Sequence, residues 1–139
     1  MSAQRTLEQE RAKHAWSHVR GVPTSLQKEF KSITNSLPAD IQANGLGQTL
    51  AFLKAKSKGE KGEAHKRVLE AVNDWARQRL RFDHSQDLLT WITQTANSED
   101  YRHATAEVIA YAIWLKRFAE AELADTGAKS DDQSNPKAK

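Results

Sequence analysis

The apolar positions of this chain recur every three or four residues, and nowhere do they alternate over a strand-length run. That spacing places them on one face of a helix. The pattern is clearest from Glu99 to Leu123, where Tyr101, Ala104, Val108, Tyr111, Leu115 and Phe118 follow at intervals of 3, 4, 3, 4 and 3. Within it the run VIAYAIWL, Val108 to Leu115, is apolar on every side. Such a helix is either buried all round or holds a partner. A second amphipathic helix is predicted from Ala64 to Leu80, through Val68, Leu69, Val72, Trp75 and Ala76. A shorter one covers Asp87–Thr95 with Leu88, Leu89, Trp91 and Ile92, and Asn97-Ser98 supplies a cap for the last helix.

In the N-terminal half a first helix is expected from Leu7 to Val19, stopping at Gly21-Val22-Pro23. Thr24, with Gln27 three residues on, resembles a capping box opening a short helix whose face carries Leu26, Phe30 and Ile33. Pro38 suits the first turn of a third helix reaching Ser57. Gly45 and Gly47 fall inside that helix, where each costs about 1 kcal/mol relative to alanine. Either the helix breaks there or something packs closely against bare backbone. KSKGEKGE, ending at Glu63, is expected to be a mobile charged loop. The sum is an all-α fold, a single compact bundle of about five to six helices over residues 1–123, followed by a disordered polar tail over 124–139.

Composition narrows the function more than the fold. The 139 residues suffice for one core. A mean hydropathy of −0.75 requires the apolar residues to be concentrated on helix faces. No cysteine is present, which excludes disulfides, a thiolate nucleophile and sulfur-bound zinc, and fits a cytoplasmic protein. No stretch approaches the roughly 20 apolar residues that cross a bilayer, and MSAQRTLEQERAKHAW lacks the apolar segment of a signal peptide.

Charge is unevenly spread. Residues 54–81 carry nine Lys/Arg against the four acids Glu60, Glu63, Glu70 and Asp74, although the whole chain has a net charge of only +3. Within this stretch Arg67, Glu70, Asp74, Arg77 and Arg81 share one helical stripe and read as a solvated, salt-bridged face. Arg77, Arg79 and Arg81 also crowd a helix C-terminus, where cations complement the dipole. Lys54, Lys56, Lys58 and Lys61 have fewer acids at hand and are the better candidates for a polyanion.

Catalytic signatures are missing. His14 and His18 lie four apart and could present two imidazoles to a metal. With no HExxH arrangement and no third ligand evident nearby, they read as structural, and no metal or cofactor is expected. Asp83, His84 and Asp87 read as capping residues. No GxSxG elbow occurs, and Gly45-Leu46-Gly47 lacks the lysine of a Walker loop. Trp16, Trp75, Trp91 and Trp114 lie in or beside apolar stripes, and at least three of them are expected in the core.

The segment LPADIQANGLGQTLAFLKAKS, Leu37 to Ser57, resembles the NGL-x-x-TLAF signature of the small helical subunit of the type III-B CRISPR effector, the Cmr complex. RAKHAW, from Arg11, and AYAIWLKRFAEAEL, from Ala110, are similar to that family's first and last helices. The resemblance makes Asn44, Gly45, Leu46, Thr49, Leu50, Ala51 and Phe52 the signature core, with Lys56 its basic edge. It implies a non-catalytic subunit in antiviral defence. Such a subunit stacks with copies of itself and with CRISPR backbone subunits, along a channel holding guide RNA and target RNA, through Lys/Arg contacts to phosphates. Arg77, Arg79 and Arg81 are secondary RNA-binding candidates. Neither a membrane nor a small-molecule substrate is implied. The rival reading is a helical adaptor or regulator holding a protein partner on an exposed apolar helix face.

Overall fold

A capping box does open a helix, but at Thr6 and not at Thr24. In the computed structural model, which describes residues 5–123, Thr6 Oγ1 accepts from the Gln9 amide at 3.1 Å and Gln9 Oε1 accepts from the Thr6 amide at 2.9 Å. This starts α1 (Leu7–Arg20). Thr24 lies inside a single 3-10 turn, Thr24–Leu26, and Gln27 reaches back to the Val22 carbonyl at 3.2 Å instead of capping. Then follow α2 (Gln27–Asn44), α3 (Leu46–Ser57), α4 (Glu63–Arg79), α5 (Leu88–Gln94) and α6 (Ser98–Glu122). The tail expected to be disordered, 124–139, lies outside the described residues.

Pro38 begins no helix. It sits within α2, whose buried positions Phe30, Thr34, Leu37 and Ile41 run past it at helical spacing. An interior proline costs about 3 kcal/mol. Burial of Phe30, Leu37 and Ile41, worth roughly 1.5–3 kcal/mol each, outweighs that and keeps the helix whole. The break comes at Gly45, with φ 90° and ψ 156°, backbone that is essentially reserved for glycine. Gly45 closes α2 through its amide on the Ile41 carbonyl (2.8 Å) and opens α3 by accepting from the Thr49 amide (3.1 Å). It has no side chain with which to cap α3. Tyr101 of α6 supplies the acceptor, its hydroxyl oxygen lying 2.8 Å from the Gly47 amide. A Cβ on Gly47 would stand 3.1 Å from that oxygen, so both alternatives raised by the glycines are realised, at successive positions.

The charged stretch after α3 is a tight turn. The Gly62 amide bonds the Gly59 carbonyl at 3.1 Å, and a Cβ on Gly62 would come within 2.3 Å of the Lys56 carbonyl oxygen. α3 and α4 therefore form a short helical hairpin. α6 packs against α1 and α2, α2 also packs on α3 and α4, and α5 closes the end against α3, α4 and α6. The result is one domain with one core.

A buried carboxylate lies at the meeting of α1, α4 and α6. Glu107, 6% exposed, accepts from Arg11 Nε at 2.7 Å, Arg11 Nη2 at 2.9 Å and Trp75 Nε1 at 2.9 Å. Burial by itself raises a carboxyl's pKa, but the bonds from Arg11 and Trp75 outweigh it and hold Glu107 below the ordinary glutamate range. Above it Trp75 and Tyr111 stack, with ring centroids 5.4 Å apart and planes 10° from parallel.

Two measurements test this account. Gly45→Ala lowers stability by about 1–3 kcal/mol in urea unfolding because of its φ alone; an unchanged midpoint would remove the strain argument. Glu107→Ala costs about 2–3 kcal/mol, since the half-buried Arg11 keeps only the exposed Glu8 and the buried Trp75 Nε1 loses its acceptor. A carboxyl whose pKa is depressed by folding stabilises fully above its unfolded pKa and loses that contribution as pH falls through the folded value. Between about pH 7 and about pH 3 the wild type therefore loses more stability than Glu107→Gln does.

Candidate functional site

The basic candidates fall into two groups at opposite ends of the α3–α4 hairpin. Lys54, Lys56 and Lys58 lie at the C-terminal end of α3 and Lys61 in the turn, whereas Arg77, Arg79 and Arg81 lie at and beyond the C-terminal end of α4. α4 has 17 residues and is roughly 25 Å long, so its two ends lie far apart, although Lys54 on Asp87 and Arg77 on the Gln86 carbonyl both reach the segment just before α5. The two groups do not form one patch.

Within the first group the lysines differ. Lys54 Nζ is 3.3 Å from Asp87 Oδ2, so it joins α3 to the start of α5. Asp87 is the N-cap of α5, its Oδ1 accepting from the Thr90 amide at 2.8 Å. Its burial opposes ionisation, but the Thr90 and Lys54 bonds prevail and hold its pKa low. Lys56, Lys58 and Lys61 are exposed, and no acid lies within ion-pair distance of them among the described residues. The Lys56 ammonium stands 5.7 Å from the centroid of the Phe52 ring.

In the second group Arg77 is committed to structure. Its Nη2 donates to the Gln86 carbonyl at 3.1 Å, and its own carbonyl lies 3.1 Å from His84 Nε2, which pins the segment between α4 and α5. Arg79 lies over the Trp75 ring at 5.9 Å and, with Arg81, is exposed. Asp83 accepts from the Ser85 amide at 2.9 Å, a local turn contact.

The expected salt-bridged stripe on α4 dissolves in the fold. Arg67 faces Glu63 at 3.9 Å and donates to the Gly21 carbonyl at 3.2 Å. Asp74 turns toward α1, with its Oδ2 at 2.6 Å from His14 Nε2 and 3.6 Å from His18 Nε2. Tyr111 Oη lies 2.6 Å from His14 Nδ1. Burial would raise the pKa of Asp74, but the imidazole contacts pull it below the usual range. Burial, then the neighbouring His14, lowers that of His18; burial, then Asp74, raises that of Tyr111, which keeps its proton. Only a fold that brings residues 14 and 74 together could show this grouping.

The signature segment is split by exposure. Leu46, Thr49 and Leu50 are buried, but Asn44, Ala51 and Phe52 are at the surface, with Phe52 54% exposed. Leu46, Leu50 and Leu53 face the bundle, which turns Phe52 outward. Asp40, Ala43, Asn44, Gln48, Thr49 and Phe52 line an open groove of about 640 Å³. Thr49 Oγ1 is buried there with no hydrogen-bond partner among the described residues. Ile113 of α6, in the run read as apolar all round, is 43% exposed. Trp75 and Trp91 are buried, while Trp16 and Trp114 are half-buried, both packed on Phe118. Among the described residues no helix is long and apolar enough to cross a membrane.

Comparison with known proteins bears on this surface. The family described as CRISPR-associated protein (Cas_Cmr5) matches residues 7–122. The CRISPR system Cmr subunit Cmr5 of Thermus thermophilus is 34% identical over 118 residues, covering 84% of this chain and 96% of that protein. The crystal structure of a CRISPR-associated Cmr5 family protein from the same organism superposes with a TM-score of 0.69 at 32% identity, over 86% of this chain and all of the other.

The division among the cations makes a prediction. Asp87→Ala removes a cap and costs about 1–2 kcal/mol. Lys54→Ala removes only a partly exposed ion pair, and its cost stays below about 1 kcal/mol. Thermal unfolding of both variants decides; equal losses would mean that the ion pair, not the cap, holds α5.

Proposed function

The chain belongs to the Cmr5 family and is a subunit of a CRISPR Cmr complex, and on that premise we propose that it acts without catalysis of its own, as a wall of the complex's RNA channel. In this reading copies of the chain stack with one another and with backbone subunits into a filament beside guide RNA and target RNA, in a cytoplasmic antiviral effector. The single observation that favours RNA contact is the trio Lys56, Lys58 and Lys61. These three cations lie within six residues at the end of α3 and in the turn after it, exposed and without acidic partners among the described residues. Lys54 is assigned to the scaffold because Asp87 holds it. Arg79 and Arg81 are proposed as a second, weaker contact, and Arg77 drops to a structural role.

Contacts of this kind go to phosphates and carry no sequence information. Sequence reading in the effector then rests on base pairing with the guide. Phe52 and Ile113, the exposed large apolar side chains among the described residues, fit contacts with neighbouring subunits. An adaptor function would use the same residues, but it leaves the lysine trio without a purpose.

The test is a reconstituted Cmr complex carrying Lys56→Ala, Lys58→Ala and Lys61→Ala together. Each lost phosphate contact to single-stranded RNA reduces the log–log salt slope of target binding by about 0.7, so the triple variant's slope falls by about 2. If the complex assembles and its slope matches the wild type, the lysine assignment is wrong.

A further inference from the structure

Two imidazoles and a carboxylate converge where α1 crosses α4, and no step of RNA binding uses them. One ligand atom each from His14, His18 and Asp74 lies within 4.8 Å of the other two. His14 Nε2 and His18 Nε2 address the same oxygen, Asp74 Oδ2, at 2.6 and 3.6 Å. The two rings stack, centroids 4.7 Å apart and planes 29° from parallel, so that both are aimed at Asp74. A hydrogen-bonded His–Asp pair needs only one imidazole. The second stands at the margin of hydrogen-bond reach of the same oxygen, 3.6 Å away, a distance also suited to sharing an ion with it.

We propose that His14, His18 and Asp74 form a three-ligand site for a divalent transition metal of the zinc class, joining α1 to α4. Bonds of about 2.0–2.1 Å in tetrahedral geometry place ligand atoms about 3.3 Å apart. The His18–Asp74 separation is already close to that value. The His14–Asp74 separation has to open by several tenths of an ångström, a small rotation for a carboxylate that is 54% exposed. Imidazole and carboxylate without thiolate select zinc, cobalt(II) or nickel(II) over the softer ions.

The surroundings fit the same use. His14 Nδ1 is held by Tyr111 Oη at 2.6 Å, the outer hydrogen bond that fixes the ring of a metal-bound histidine. With Nε2 on the metal, Nδ1 carries the ring proton and donates to the tyrosine oxygen. Gln78 Nε2 reaches the carboxylate at 3.4 Å from the next turn of α4. A groove of about 270 Å³, bordered by Glu10, Lys13, His14, Ser17, Trp75 and Gln78, opens on the His14 side of the cluster. The site is a staple between helices, and no reaction is assigned to it. Its existence does not depend on the RNA-channel reading.

Titration of the full chain with zinc chloride in a calorimeter tests the assignment. The expected result is saturable binding of one equivalent, together with a rise in Tm of about 5 °C or more at zinc well above Kd. His18→Ala and Asp74→Asn each weaken binding by at least about tenfold. His18→Ala leaves the His14–Asp74 bond in place, so it keeps the test alive if Asp74→Asn unfolds. Cobalt(II) supplies a second readout, with visible absorption bands in the wild type that both variants lose. Wild-type affinity in His18→Ala, no heat of binding at any zinc concentration that leaves the protein in solution, or equal loss in His84→Ala would each overturn the proposal.

Discussion

The Glu107 carboxylate is the constraint around which the bundle is organised. A buried negative charge is costly unless it is neutralised and fully hydrogen-bonded. Here both oxygens are engaged, one by Arg11 alone and the other by Arg11 and Trp75. Because the three residues come from α1, α6 and α4, satisfying one charge fixes the relative rotation of three helices. An apolar core would tolerate small slips along each helix axis. This one penalises them, because a slip of a single residue would bury an unpaired ion. The Trp75–Tyr111 stack and the His14–Asp74 bond lie along the same crossing and inherit its register.

Much of the architecture can be read from the sequence where local rules and tertiary packing agree. α1, α4, α5 and α6 begin and end within one or two residues of the positions that periodicity and caps predict, with Asp87 and Asn97 as the caps. The reading fails where a local rule is overridden. Pro38 suggests a beginning, but Leu37 and Ile41 on either side are buried, and burial across the proline decides. Thr24 and Gln27 have capping spacing, yet the chain enters α2 through a 3-10 turn that leaves Thr24 no cap to make.

The functional surface is less legible, for a physical reason. Whether a cation is available depends on what stands opposite it in space, and the decisive partners are distant in sequence. Lys54 and Lys56 are two residues apart, alike on paper, and only the fold places Asp87 against one of them. Asp74 reads as a partner for arginines on its own helix, while its true neighbours lie 60 residues away or nearly so. Conversely Phe52, within the family signature, is exposed because its three leucine neighbours occupy the inward face. A signature therefore marks a surface as well as a core here.

The pairing of Arg11 with Glu107 spans 96 residues, and that of His14 with Tyr111 spans 97. On a ribosome the first helix emerges long before its partners exist. The bonds of Arg11 and Trp75 to Glu107, and of His14 to Tyr111, form only once α6 has left the exit tunnel. Contacts of such sequence separation slow closure. They also make the last helix a checkpoint: a chain that stops short of it leaves Trp75 Nε1 without its acceptor and Arg11 with Glu8 alone.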